Sequence, residues 1–491
     1  MVQSVRRFPV RWLGLIISLH VLFHLPFIHL PPCSIHVWRQ CNTLAVARNF
    51  FEEDNDILRP RVDKRLDTEG VTGMQFPAYE WGLAQIYRIT GEHYWVHRVW
   101  SLLISSLTLV FIFSFFRKYA DDALAGLIAA WVMCWSPEWF YHSINALPDI
   151  LAMMFGAGAL VAFLSWQSRR TSTLLFVTFL MITLSGLIKI QYGLFGLIIV
   201  MLLLQDFFNE KVSRQILVAW SSAGLLSAAI VLSWYQYANG LIEKSGLYDF
   251  VLQLRPVTGG FSEAIRVVRK NLISDLPELL LNYAGFVLLL LGVVAWFRSN
   301  EKRSWIAFPS FILFIIWYVL MLEQMKVHQY YMLPLIFLCI FPVLHAARWL
   351  LKNGRQGILY GLLLLMPILA AIRILPARWL KADLGIPAAF ADEQQLQSLI
   401  QAVPATDRVI TVPDKSGCIW LYFLHKKGFA YEDATMFETA ATGNSKLMQF
   451  KIRGARWVYM PERFLPAGHP VLQSGLELDT IIGGISIYSI R

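Results

Sequence analysis

HVWRQCNT (36–43) and ARNFFEEDNDILRPRVDKRLDTEGVTGMQFPAYEWGLAQIYR (47–88) belong to one polar stretch, residues 32–96, which directly follows the first apolar run. Almost everything else up to residue 376 is apolar span and short connector. Arg39, Asp56, Asp63, Asp67, Glu69 and Glu80 are gathered in this single loop. Loops carry binding and catalytic groups more often than the scaffold that holds them. The spacing predicts two amphipathic helices inside it, over 42–53 and 78–90, lying along a membrane interface at the depth aromatic residues prefer.

Composition sets the class. The chain has 491 residues, of which 56% are hydrophobic and only 15% charged, where a soluble domain carries about 25% charged residues. Mean hydropathy is +0.51. This is the balance of an integral membrane protein. Apolar runs near 12–30, 97–116, 122–137, 147–165, 172–188, 191–206, 216–236, 280–297, 305–322, 331–348 and 357–376 predict about eleven transmembrane helices of about 20 residues each. The run from Trp12 follows Arg6, Arg7 and Arg11 with no small-residue cleavage site after it, so it reads as a retained first helix.

The formal charge of +10 is distributed in a way that orients the chain. With the N-terminus in the cytoplasm, Arg117, Lys118, Arg169, Arg170, Lys211, Arg214, Arg298, Lys302, Arg303, Arg348, Lys352 and Arg355 fall on the cytoplasmic side. The short loops opposite hold only Lys189 and Lys326, a positive-inside asymmetry. Basic residues scattered between apolar spans form no patch for nucleic acid. Three large segments then lie outside: 31–96, 237–280 and the tail 377–491. In the second, Ile265, Val268 and Leu272 share one helical face, which suits a helix at the headgroup level. In the tail, 407–412, 456–460 and 483–490 read as strands and 391–403, 416–426 and 443–453 as helices, a small extracytoplasmic α/β domain. The expected organisation is a transmembrane domain, 1–376, followed by that domain, 377–491. Five cysteines show no metal-site spacing; a bridge between Cys33 and Cys41 is an open alternative to free thiols.

Sorted by side, the ionisable groups at the membrane boundary cluster. Asp149 sits in NALPDILAMMF (145–155) and Lys189 in the break LIKIQYG (187–193). Glu323, Lys326, His328, Tyr330 and Tyr331 sit in EQMKVHQYYMLPL (323–335). With Arg39 and the loop acids, all are placed on the outer face. Ionisable groups at this depth are costly and are functional candidates by default. The set suits transfer from a lipid-phosphate donor: a carboxylate as general base on the acceptor, and cations neutralising the departing phosphate. That chemistry requires no obligatory metal, and a divalent ion remains an open addition. Each residue has a plainer alternative. Asp149 competes with a helix cap beside Pro148, Asp63 with pairing to Arg61 or Arg65, and Lys189 with snorkelling. Asp56 and Asp67 look like solvated turn residues.

At these residues the chain resembles the polytopic GT-C glycosyltransferases, the superfamily of the protein O-mannosyltransferases and the aminoarabinose transferase of lipid A. WRQCNTLAVARNFFE (38–52), GMQFPAYEWGLAQIYRITG (73–91), ALPDILAMMF (146–155), LIKIQYGL (187–194) and HQYYMLPL (328–335) look like recurring blocks of bacterial members. The resemblance implies an inverting transferase that moves a sugar from a polyprenyl-phosphate carrier to a glycan, lipid or protein acceptor, in a bacterial inner membrane with the site outside. It implies an Asp in a WRQ-x-D arrangement as base, where this chain has Asn42. It also implies a Glu where this chain has Gln75. Asp63, then Asp56, substitutes for the missing acid, and Asp149 is the second acidic residue. Arg39, Lys189, Lys326, His328 and Tyr330 are the expected donor-phosphate contacts, with Asn42, Gln75 and Glu80 on the acceptor side. The rival readings are a lipid-linked-sugar transporter and an inactive relative.

Overall fold

The computed structural model describes residues 8–247, 257–298, 307–381, 383–437 and 446–491. Seven helices in these residues are long and apolar enough to cross a membrane: Pro9–Phe27, Tyr94–Ala120, Pro148–Arg169, Ile190–Phe208, Arg214–Ser245, Gln329–Lys352 and Gln356–Trp379. An eighth span results if Gly260–Leu280 and Asn282–Phe297, which meet at 110°, act as one broken crossing. Among the described residues these are seven or eight of the eleven or so spans expected. The runs at 122–137 and 172–188 form Ala123–Cys134 and Ser172–Ile188. At a rise of about 1.5 Å per residue the first is about 18 Å long, and the short helix Pro137–His142 follows it. The run at 305–322 gives Ala307–Leu320, of 14 residues, at the border of the described residues.

Contacts divide the chain into two compact units. One, the helical unit, comprises Met1–His29, Arg98–Tyr237 and Leu252–Ala377; the other comprises Leu30–His97, Ala238–Val251 and Arg378–Arg491. The first polar loop and the tail thus form one body, a division different from the expected 1–376 and 377–491.

In the helical unit, small residues let backbones approach. A Cβ on Gly292 of the helix Asn282–Phe297 would overlap the carbonyl oxygen of Pro342 in Leu333–Lys352, the close packing that small residues provide between membrane helices. Asn282 starts its helix at φ 54°. Its amide donates to the carbonyls of Trp135 (3.0 Å) and Met366 (3.1 Å), while its Oδ1 accepts from the amides of Ala284 and Gly285. One side chain therefore satisfies two orphan donors of a helix start and two free carbonyls. The helix Gly260–Lys270 exposes Phe261 and Ile265 while Val267 is buried.

In the loop-and-tail unit, Val37–Glu52 and Ala78–Thr90 are both helical. Val37–Glu52 is not the one-sided interfacial helix expected from the sequence: thirteen of its sixteen residues are buried, polar ones included. The tail forms a five-stranded sheet in the order β2-β1-β3-β5-β4, with β1 Arg408–Thr411, β2 Lys427–Ala430, β3 Ala455–Pro461, β4 Leu476–Ile482 and β5 Ile485–Ile490. β1 runs parallel to β2 and β3, whereas β5 is antiparallel to β3 and β4. The sequence reading finds β1, β3 and β5 and misses β2 and β4. It also takes Gly483 and Gly484 into the last strand. They are its hairpin turn, both at positive φ (57° and 77°), the conformation a two-residue turn demands and glycine meets without strain. Ile410, Val412, Phe429, Val458 and Met460 centre the core. The expected helices at 391–403 and 416–426 shorten to Glu393–Gln401 and Ile419–Phe423. That at 443–453 is Lys446–Ile452, with residues 443–445 outside the described ones. All five cysteines are buried thiols outside any disulfide, Cys33 and Cys41 among them.

Candidate functional site

In the helical unit, two helix ends meet with opposite charges. Pro148 opens the helix Pro148–Arg169 and puts Asp149 in its first turn, where the exposed N–H groups favour an anion. Lys189 follows the last residue of Ser172–Ile188, in an extended conformation that breaks the helix before the turn Ile190–Gly193, where carbonyl ends favour a cation. Lys189 Nζ lies 3.4 Å from Asp149 Oδ2. Asp149 is fully buried, and neither of its oxygens has a hydrogen-bond partner among the described residues. The buried Tyr192 hydroxyl stands beside this carboxylate and interacts with it. The capping alternative for Asp149 does not hold here: Leu147 occupies the cap position without a side-chain bond. A buried carboxylate with one cation at 3.4 Å and one tyrosine hydroxyl beside it is sparsely bonded, and such groups call for a functional reason.

Aromatic rings complete this cluster. Lys189 Nζ sits 5.8 and 5.7 Å from the ring centres of Tyr330 and Tyr331, cation–π range. His328 stacks on Tyr330 at 5.5 Å. Beside them stands a pair the sequence reading missed. Glu138 and His142 lie one turn apart on the short helix Pro137–His142, both buried, with Nε2 to Oε2 at 3.3 Å. The signal available was two ionisable residues at i,i+4 within an apolar run. His142 meets Tyr330 edge-on at 6.1 Å. Lys326 stands apart from these groups. It pairs with Glu323 (2.6 Å) and Glu263 (3.7 Å) and donates to the Thr258 carbonyl. Its charge is committed to a surface network, where the sequence reading expects donor phosphate.

In the loop-and-tail unit, Asp63 is buried and bonded at both oxygens: Arg48 Nη2 donates to Oδ2 at 2.7 Å and Asn49 Nδ2 to Oδ1 at 3.0 Å. Arg48 also donates to the Tyr422 carbonyl (3.0 Å), and the Gly428 amide donates to the Asp63 carbonyl. The carboxylate thereby ties the first loop to the tail. Neither Arg61 nor Arg65 pairs with it, as the plainer alternative supposed; both engage Glu53. Asp56 is an exposed turn residue whose Oδ1 accepts from the Leu58 amide. Asp67 and Glu69 are exposed. Asn42 is buried on Val37–Glu52, and Gln75 donates to Glu80 at 3.4 Å. Arg39 is 7% exposed, and its Nε and Nη2 have no hydrogen-bond partner among the described residues. A guanidinium buried without a counter-ion is costly and is suited to hold an anion.

Electrostatics differ across this unit. Burial opposes ionisation of Glu53, but Lys427, Arg65 and Arg61 outweigh it and hold the carboxyl below its usual range. Burial lifts Glu92 to about 7, with Arg48 opposing and Glu52 and Asp63 reinforcing the rise. Burial likewise raises Asp414 against the donors Ser416 and Trp420.

Known proteins share this architecture. The structure of ArnT from Cupriavidus metallidurans matches at a TM-score of 0.52 and 12% identity, covering 98% of both chains. The oligosaccharyltransferase of Archaeoglobus fulgidus matches at 0.56 and 13%, covering 92% of this chain and 69% of that one. The arabinofuranosyltransferase AftD from Mycobacteria matches at 0.58 and 13%, covering 98% of this chain and 40% of that one. No curated protein matches the chain. The chain is an integral membrane protein that shares the fold of these transferases. Residues 75–234 match the family described as dolichyl-phosphate-mannose-protein mannosyltransferase.

Proposed function

We propose that the chain is an inverting glycosyltransferase that moves a sugar from a polyprenyl-phosphate carrier to an acceptor on the outer face of the membrane. The observation that carries this reading is the buried, under-bonded Asp149 facing Lys189 at 3.4 Å. Donor phosphate draws Lys189 off the carboxylate, with Tyr330 and His328 beside it. Asp149 then takes the acceptor proton as the acceptor oxygen bonds to the sugar carbon. The carbon–oxygen bond to phosphate breaks, and the carrier phosphate leaves with the bonding pair. Asp63 serves as a strut and not as the base, because both its oxygens are committed; Asp56 is solvated. The charge asymmetry of the loops supports the outer location.

The test is transfer from radiolabelled polyprenyl-phosphate sugar in proteoliposomes. Asp149→Asn removes the base and is expected to lower transfer by about 10²–10³-fold at unchanged folded yield. Full activity in that variant overturns the assignment. Passage of labelled carrier across the bilayer without transfer favours the transporter reading.

A further inference from the structure

We infer that Glu52, Glu92 and His425 form a binding site for one divalent transition-metal ion of the zinc class, within the loop-and-tail unit and separate from the Asp149 cluster. One ligand atom from each of the three lies within 4.8 Å of the others. Bonds of about 2.0–2.2 Å to a tetrahedral ion place ligand atoms about 3.3–3.6 Å apart, so side-chain rotations that move the ligand atoms by about 1 Å close the set. The residues come from three segments: the last turn of Val37–Glu52, the connection before Tyr94–Ala120, and the turn after Ile419–Phe423. His425 holds its place at φ 50°, and its ring makes no hydrogen bond or ion pair among the described residues.

The charge balance leaves room for a cation. Arg48 approaches Glu92 only to 3.9 Å, because it is bound to Asp63 at 2.7 Å. Lys427 approaches Glu52 only to 3.9 Å, because it is bonded directly to Glu53. Lys426 donates to the Val403 carbonyl at 2.6 Å. Each nearby cation is thus committed elsewhere, and two carboxylates face one imidazole without full neutralisation. A cavity of about 660 Å³ reaches Glu52 and His425, giving the ion an entry path and water for the remaining positions. One nitrogen and two carboxylate oxygens suit Zn²⁺ or Co²⁺, whereas Ca²⁺ takes six to eight oxygens and Mg²⁺ demands an octahedron of them. The ion would clamp three segments of one unit.

The experiment uses the full chain, purified in detergent with a histidine-free tag, and titrates it with Co²⁺ and Zn²⁺. One equivalent should bind, with Co²⁺ giving a visible ligand-field spectrum that Zn²⁺ displaces, and Mg²⁺ and Ca²⁺ should not compete. Glu52→Gln and Glu92→Gln should each weaken binding by about tenfold or more. His425→Asn, chosen because Asn tolerates positive φ, should do the same. Glu52 is exposed, so its variant keeps the fold and separates lost binding from lost structure. Absence of stoichiometric uptake, or undiminished uptake in both Glu52→Gln and Glu92→Gln, overturns the assignment.

Discussion

The ammonium of Lys189 stands 3.4 Å from the carboxylate of Asp149, which has the Tyr192 hydroxyl as a further polar neighbour. The pair joins the start of one helix to the end of another, so each charge also sits at the favourable pole of a helix dipole. A pair kept only for stability would gain from further donors. Lys189→Met should therefore raise the KM for lipid-linked donor by about tenfold or more, the loss of one buried charge-assisted contact. Asp149→Asn should lower kcat with little change in KM. Initial rates across donor concentration separate the two.

Asp63 should behave in the opposite way. Removing one member of a buried, hydrogen-bonded ion pair costs about 3–5 kcal/mol, because the partner is left charged and dry. Asp63→Ala strands Arg48 and is expected to lower the melting temperature and expose residues 378–491 to protease. Transfer per folded molecule should stay near that of the unaltered chain. Thermal unfolding and limited proteolysis alongside the transfer assay check this. A folded Asp63→Ala protein without activity would return Asp63 to the chemistry.

Lys326 is held by Glu323 and Glu263 at the surface. Exposed pairs contribute about 0–1 kcal/mol. Lys326→Ala should accordingly shift stability by no more than that and leave the donor KM unchanged, in contrast to Lys189→Met. A donor KM raised as strongly as in Lys189→Met would place Lys326 at the phosphate.

Two glycines give a packing test. Gly292→Ala drives a methyl into the carbonyl of Pro342, and two rigid backbones cannot yield cheaply. The variant should lose folded protein after detergent extraction. Gly224, in the helix Arg214–Ser245, has no atom within 4 Å of an added Cβ. Gly224→Ala should be neutral or stabilise by up to about 1 kcal/mol through helix propensity. Size-exclusion profiles of the two variants read the difference.

Much of the plan was legible in order along the chain. Apolar runs locate the membrane helices because burial in lipid forces a near-continuous hydrophobic stretch. Asp149, Lys189 and Tyr330 stand out because ionisable or polar groups in such stretches are rare. Helix ends were not legible, since a run of apolar residues does not reveal that Ala123–Cys134 ends before the short helix Pro137–His142. Nor were β2 and β4: Lys427–Ala430 is only four residues, and Leu476–Ile482 lies at the sheet edge with a half-polar face.

What the sequence by itself determined is the class, a polytopic membrane protein with charged groups at the ends of its spans, because hydropathy and charge are local properties. Only the tertiary structure decided which charges are committed. Asp63 and Asp149 are both candidate acids of the site in the sequence. One is bonded at both oxygens by Arg48 and Asn49, and the other faces Lys189 with the Tyr192 hydroxyl beside it. That difference arises from residues distant along the chain, and a carboxylate's role depends on its partners in space.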